Sequence, residues 1–140
     1  MNFGRLAAAA LVSWLVHLAL SAAVWGLLLP DLLRQVQGLL RPAGEMNLVI
    51  GYGGSLVGFL VFAYAYAKGY EGGAGLAEGV RFGVLIGLLL ASFVAAWAYT
   101  MVPVPAAFAG AAIVDAIAEM AVYGAVVGLI YQPVSHRRPR

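Results

Sequence analysis

The sequence predicts an all-α membrane protein, a bundle of four transmembrane helices, and three observations support this fold class. The 140-residue chain is 64% hydrophobic and 10% charged, with a mean hydropathy of +0.94. A soluble domain is about 45–50% apolar and about 25% charged. The apolar residues form four runs, each long enough for the roughly 20 helical residues that cross a bilayer. The alternation typical of strands is absent, which favours helices over a barrel.

We expect one membrane domain over residues 1–140. Its spans cover about residues 6–29, 46–67, 76–100 and 105–131. Arg5, the apolar run after it and the small residues 21–23 also resemble a secretory signal peptide. Because the run continues to Leu29, longer than a usual signal core, we expect an uncleaved first span. Pro103 and Pro105 leave a very short third loop, so the last two spans form an antiparallel hairpin.

Positive charge predicts the orientation of these spans. One side of the four-span arrangement carries Arg5, Lys68, Arg81, Arg137, Arg138 and Arg140. The other side carries Arg34 and Arg41. Since basic residues accumulate in cytoplasmic loops, both termini are predicted to be cytoplasmic, in a multi-pass protein of the inner (plasma) membrane.

The first loop is amphipathic. On a helical projection of residues 31–41, Leu32, Leu33, Val36, Leu39 and Leu40 share one face, and Asp31, Arg34, Gln35 and Arg41 share the other. This pattern predicts a short interfacial helix on the outer membrane surface. An extension of the first span beyond the bilayer is the alternative, but Pro30 interrupts the run and favours a separate helix.

Glycines recur along three of the predicted spans. They are Gly54 and Gly58 in the second, Gly79, Gly83 and Gly87 in the third, and Gly124 and Gly128 in the fourth. Small residues let helix backbones approach closely within lipid, where hydrophobicity does not drive helices together. We expect these faces to meet inside the bundle. A homo-oligomer or a membrane-protein partner is the alternative use.

Two carboxylates lie in the middle of the fourth span. Asp115 and Glu119 are four residues apart and share a helix face, with Tyr123 one turn further. The first span places His17 at a similar depth, flanked at spacing four by Ser13 and Ser21. Ser55 and Ser92 also lie near the middle of their spans. The candidate ligand- or proton-binding residues are therefore His17, Asp115, Glu119, Ser13, Ser21 and Tyr123.

Several interpretations of this polar group remain open. An isolated carboxylate in hydrocarbon costs several kcal/mol. The carboxyl group can therefore stay protonated, pair with His17 and so clamp span one to span four, or face a cavity that admits a proton, cation or polar ligand. One histidine and two carboxylates without a motif indicate a metal only weakly. A triad of Ser13, His17 and Asp115 lacks a nucleophile elbow, so we assign no catalytic residue, metal or cofactor.

The second loop holds another charged group. Glu78 and Arg81 are three residues apart at the start of the third span, which predicts an ion pair. The glycine-rich stretch before them lacks the phosphate-loop pattern and is expected to be a turn. The small net charge of +2 gives no indication of nucleic-acid binding, and the absence of cysteine excludes disulfides.

Several motifs resemble those of a family of small uncharacterised bacterial integral membrane proteins with four spans. They are RPAGEM, KGYEG, EGVRFG followed by GLL, VPVP and the closing GLIYQP, together with His17. The resemblance implies a compact four-helix fold and no assigned activity. The matching charged or polar positions are His17, Arg41, Glu45, Glu71, Glu78 and Arg81, and the acidic position of the last span fits Glu119 better than Asp115.

These observations favour a non-enzymatic membrane module, an accessory or assembly subunit or a self-associating bundle, with the lipid bilayer as its surroundings. A small proton- or cation-linked transporter that uses the intramembrane carboxylates is the alternative. An enzyme acting on a lipid or quinone would need an apolar pocket lined by Trp14, Trp25 or Trp97. Packing and interfacial anchoring are the more usual roles of tryptophan.

Overall fold

The computed structural model describes residues 1–131, and this part of the chain is all-helical, with no strand. Four of its helices are long and apolar enough to cross a membrane. They cover Phe3–Leu28, Leu48–Gly69, Gly75–Met101 and Ala106–Ile130. The fold class is thereby confirmed at the level of four apolar spans, each within a few residues of its predicted bounds. The basic residues of the tail, Arg137, Arg138 and Arg140, lie outside the described residues.

The spans contain two irregular turns, and further short helices connect them. Helix α1 covers Phe3–Ala23 and continues through a π-helical turn at Val24–Leu28. Helix α2 covers Pro30–Val36, α3 Leu48–Gly69, and α4 Gly75–Leu90. A second π-helical turn, Ala91–Ala95, joins α4 to α5 at Ala96–Met101, and α6 covers Ala106–Ile130. Single 3₁₀ turns cover Gln37–Leu39 and Ala43–Glu45.

Local sequence signals account for the starts of these helices. The Asn2 side chain accepts a hydrogen bond from the Arg5 amide, and Asn47 does the same for Ile50, as N-cap residues do. Pro30 occupies the first turn of α2, where its missing amide costs nothing. Pro105 directly precedes α6. The starts of α1, α2, α3 and α6 therefore lie at residues that favour a helix boundary, whereas α4 starts after Ala74 without a side-chain cap.

Helices α4 and α6 form the closest helix pair. A methyl group added at Gly79 would meet the carbonyl of Gly124, and one added at Gly83 would meet the carbonyl of Met120. At Gly87 the added carbon would lie 2.8 Å from the Cα of Ile117. These three glycines thus lie at a contact between helix backbones, as the spacing of four predicts.

The glycines of α3 are in a different position. A methyl group added at Gly54 or Gly58 would have no neighbouring atom within 4 Å. Helix α3 contacts α1, but its backbone does not pack directly against that of α4. A gap between α3 and α4 results. It is bridged towards the 69–75 loop by Phe82, whose ring lies 5.0 Å from Phe62 and 5.6 Å from Tyr66.

Helix α1 packs against both α3 and α6 and forms the remaining core. Its contact face carries the small buried residues Ala9, Ala10 and Ser13. Tyr66 of α3 and Tyr123 of α6 are the largest fully buried side chains among the described residues. The core therefore lies between α1, α3 and α6, and α3 contributes Phe59, Phe62, Ala63 and Tyr66 to it.

Helix α2 is shorter than the predicted interfacial helix. It ends at Val36, which is 3% exposed, and α2 contacts α6. Leu39 and Leu40, predicted on the same apolar face, are 49% and 47% exposed and lie in or just after a 3₁₀ turn. Gly38 and Pro42 disfavour a longer helix here, which explains the early end.

A methyl group at the α4–α6 contact should destabilise the protein. We expect Gly83→Ala to lower the free energy of unfolding in detergent by about 1–3 kcal/mol, because the added carbon overlaps the Met120 carbonyl. Gly54→Ala is the matched control, since its methyl group meets no atom and should be neutral or stabilising by up to about 1 kcal/mol. Equal effects of the two substitutions would contradict this account of the α4–α6 contact.

Candidate functional site

The polar residues of the first and fourth spans come together where α1 crosses α6. Glu119 lies halfway along α6, and His17 lies at a comparable level of α1. The exposed fraction of the His17 side chain is 31%, and that of Glu119 is 12%. The sequence prediction that these residues face each other within the helical assembly is therefore realised for His17 and Glu119.

Three side chains surround the Glu119 carboxylate and form one hydrogen-bonded network with it. Ser21 Oγ donates to its two oxygens at 3.3 and 3.4 Å, and Tyr123 Oη donates to Oε2. His17 Nδ1 lies 3.0 Å from Tyr123 Oη, 3.2 Å from Ser21 Oγ and 3.7 Å from Glu119 Oε2. Both hydroxyl groups direct their single proton towards the carboxylate. Nδ1 is then the group that must donate, which assigns the imidazole proton to this nitrogen.

Aromatic rings hold the imidazole in this position. The His17 ring is 5.4 Å from the Phe59 ring of α3, and it meets Tyr123 edge-on at 5.7 Å. Phe59 also contacts Tyr123 edge-on at 5.0 Å. Three spans therefore contribute to the position of His17, although the hydrogen bonds join only two of them.

Asp115 has a different partner. Trp25 Nε1 donates to its Oδ2 at 2.8 Å, and the Trp25 ring lies 5.1 Å from Phe108. Trp25 belongs to the π-helical turn that ends the first span. Such turns add a residue to a helix and occur often at functional sites. Either carboxylate could have been the partner of His17. In the structure Glu119 lies next to His17, and Asp115 is bonded to the Trp25 indole.

Sequence reasoning considered Trp25 only as a wall of an apolar pocket and missed it as the hydrogen-bond partner of Asp115. The signal was present, because Ser13, His17, Ser21 and Trp25 follow one another at spacing four. Residues at that spacing share a helix face, so the polar stripe of the first span continues one turn beyond Ser21. The indole N–H is a hydrogen-bond donor that suits a carboxylate in an apolar environment.

The predicted serines have three different environments. Ser13 is fully buried, and its Oγ has no hydrogen-bond partner among the described residues, so it belongs to the helix contact rather than the network. Ser92 is exposed and donates to the Leu88 carbonyl of its own helix. Ser55 accepts a hydrogen bond from Trp14 Nε1 at 2.9 Å, which links α3 to α1.

A cavity of about 640 Å³ lies between the four spans next to the network. Its polar lining consists of both carboxylates, three of the side chains that contact them and Ser55: Asp115, Glu119, His17, Trp25, Tyr123 and Ser55. The remaining wall is apolar and includes Phe59 and Phe62 of α3 and Phe82 and Ile86 of α4. A largely apolar cavity with a few convergent polar groups is typical of a small-molecule site.

The predicted ion pair between Glu78 and Arg81 is not present within residues 1–131. Glu78 instead folds back over the second loop, where its two oxygens accept hydrogen bonds from the amides of Glu71 at 2.5 Å and Gly73 at 2.9 Å. Gly72 between them has a φ of +88°, a conformation that glycine adopts at little cost. The nearby amides satisfy the carboxylate, whereas Arg81 is exposed and remains in reach of the surrounding solvent or headgroups.

Potential metal ligands do not cluster in the described part of the chain: no group of three or more His, Cys, Asp or Glu side chains is placed to hold a metal ion. His17 and Glu119 are adjacent, whereas Asp115 is bonded to Trp25.

Comparisons with protein-family models, with curated proteins and with solved structures find no match. The similarity to small four-span bacterial proteins therefore stays a prediction based on the motifs. The four apolar helices indicate a multi-pass membrane protein.

The two serines that flank His17 should respond differently to substitution. We expect Ser21→Ala to lower the free energy of unfolding by about 1–3 kcal/mol, because Glu119 and His17 lose a shared partner. Ser13→Ala should leave it unchanged or raise it, since the Ser13 hydroxyl is buried without a partner. Denaturant titration of the purified protein in detergent measures both, and a larger loss for Ser13→Ala would refute the described network.

The carboxylate of the second loop gives a further test. Glu78→Ala should destabilise the protein by about 1.5–3 kcal/mol, because two loop amides lose a charged acceptor. Arg81→Ala, the other half of the sequence-predicted pair, should change stability by less than about 0.5 kcal/mol. Thermal unfolding in detergent measures both effects. Equal losses of stability in the two variants would support the ion pair between Glu78 and Arg81 and contradict the described loop contacts.

Proposed function

We propose that this protein is a non-enzymatic integral membrane module, a four-helix bundle that acts as an accessory or assembly subunit or associates with itself. One observation carries the proposal: the polar side chains of the first and fourth spans bond mainly to one another. Ser21, His17 and Tyr123 surround Glu119, and Trp25 bonds to Asp115. Such a network joins two spans that lipid alone would not hold together.

The proposed topology places both termini in the cytoplasm of a bacterial cell, with the bundle in the inner membrane. Arg5, Lys68 and Arg81 lie at the ends of α1, α3 and α4 that share one side, in support of this orientation. Arg34, on the opposite side, belongs to α2, which we propose lies along the outer membrane surface. The exposed ion pair between Asp31 and Arg34, at 2.6 Å, gives α2 the polar face that this location needs.

The open glycine face of α3 supports a role in association. A methyl group added at Gly54 would meet no atom, whereas the glycines between α4 and α6 are closely packed; Gly58 has the same free space but borders the cavity. A helix with small residues on a free face can approach another helix closely. A second copy of the chain or another membrane protein would pack against this face of α3.

The clamp interpretation is tested with amide variants. A neutral amide replaces the hydrogen bonds of a carboxyl group in large part, so Asp115→Asn and Glu119→Gln should keep the fold and the oligomeric state. Glu119→Ala should lower the free energy of unfolding by about 1–3 kcal/mol, since the hydroxyls of Ser21 and Tyr123 lose their acceptor. Thermal unfolding and native mass spectrometry from mild detergent measure these effects. Unchanged stability in Glu119→Ala would count against the clamp.

The second candidate is a small carrier linked to protons or cations. It is favoured by the position of Asp115 and Glu119 on the wall of the cavity, because ionisable residues within a membrane often serve transport. Protein in liposomes should then show cation or proton flux that Asp115→Asn and Glu119→Gln abolish. Flux equal to that of protein-free liposomes would remove this candidate and leave the module.

A further inference from the structure

We propose that the cavity between the four spans binds a lipophilic cation, an organic ammonium or similar onium group on an apolar body, with its charge next to Asp115 and Glu119. This inference goes beyond the proposed module. It concerns equilibrium binding and holds whether or not the bound molecule crosses the membrane.

The sign of the charge in the cavity is the first argument. The side chains that line it include two carboxylates and one imidazole, but neither lysine nor arginine. When both carboxylates are ionised, the wall carries a net negative charge even if His17 is protonated. A bound cation would compensate this charge in a place where little water does so.

The hydrogen bonds of Asp115 are the second argument. Trp25 occupies Oδ2, and no group among the described residues donates to Oδ1. Among the described residues, Ser13 Oγ is the one side-chain atom that is buried without a hydrogen-bond partner. Asp115 Oδ1 is therefore accessible rather than buried. Glu119 accepts from Ser21 and Tyr123, so Asp115 is the carboxylate with free capacity towards the cavity.

The volume and the wall of the cavity define the rest of the ligand. A volume of about 640 Å³ falls within the range of about 300–1,000 Å³ found for small-molecule sites. Phe59, Phe62 and Phe82 contribute ring surfaces, and Trp25 and Tyr123 stand next to the carboxylates. Aromatic faces attract organic cations and also accept apolar bodies. A bare metal ion would leave most of this apolar wall without contacts.

The route into the cavity is the third argument. The gap between α3 and α4 opens on the side of Gly58 and Val61, and Val61 is 60% exposed. Phe62, Phe82 and Tyr66 close the gap towards the 69–75 loop. Since both helices are parts of apolar spans, this opening faces the acyl chains. A ligand would enter from the bilayer, which requires a lipophilic body. A zwitterionic phospholipid fits less well, because its phosphate would find no cationic side chain in the wall.

The experiment compares two probes of nearly equal size and shape but opposite charge, tetraphenylphosphonium and tetraphenylborate, in a neutral detergent. Trp25 provides the signal, because it lines the cavity and bonds to Asp115. Trp14→Phe and Trp97→Phe would leave Trp25 as the single tryptophan of the chain. We expect saturable binding of the cation, with an affinity at least about tenfold higher than that of the anion.

Two pairs of variants locate the site. Asp115→Asn should weaken cation binding by about tenfold or more, since a charge-assisted contact is lost. Glu71→Gln, which removes an exposed carboxylate outside the cavity, should leave it unchanged. Gly58→Leu should abolish binding by filling the cavity, whereas Gly54→Leu, with the same free space but away from the cavity, should retain it.

Equal binding of the two probes, or cation binding that survives both Asp115→Asn and Gly58→Leu, would overturn the inference. Circular dichroism establishes that each variant is folded. If Asp115→Asn does not fold, the Gly58→Leu and Gly54→Leu pair decides alone. A folded protein that binds neither probe would refute the cation site and leave the clamp intact, whereas wild-type stability of Glu119→Ala would refute the clamp.

Discussion

A carboxylate placed halfway along a membrane-spanning helix must find its hydrogen bonds within the protein, because the hydrocarbon offers none. Glu119 meets this requirement through Ser21 of α1 and through Tyr123 of its own helix, with His17 as the next partner. The contact between α1 and α6 follows from this need. Helix α1 has no glycine where it packs against α6. Polar hydrogen bonds and the small residues Ala9 and Ala10 hold these two helices together, as glycines do between α4 and α6.

Two kinds of helix contact therefore meet on α6. One side is joined to α4 by backbone contacts at Gly79, Gly83 and Gly124, which leave no room for side chains. The other side is joined to α1 by the polar network. Helix α3 packs against α1, and it meets α4 through the rings of Phe62, Tyr66 and Phe82 rather than through its backbone. The cavity is the space that this arrangement leaves, and its polar wall is the exposed side of the network that holds α1 to α6.

The two carboxylates consequently have different roles. Glu119 is 12% exposed and has several partners, so its contribution is mainly structural. Asp115 has one partner, the indole of Trp25, and one oxygen without a donor. A structural clamp at Glu119 and a binding site at Asp115 can thus lie on the same face of α6, one helical turn apart. The proposals for a membrane module and for a cation site are compatible for this reason.

Much of this arrangement was determined by the sequence alone. The four apolar runs predicted the four spans, since span length depends only on bilayer thickness and helical rise. The spacing of Gly79, Gly83 and Gly87 predicted a close helix contact, and the shared depth of His17 and Glu119 predicted their encounter. Tertiary structure decided which partner each group takes. The spacing of four places Trp25 on the polar face of the first span, but only the structure shows that it takes Asp115. Loop amides rather than Arg81 take the Glu78 carboxylate. The gap between α3 and α4 was also visible only in the structure. All four spans are similarly apolar, so the sequence does not indicate which pair of helices stays apart in lipid.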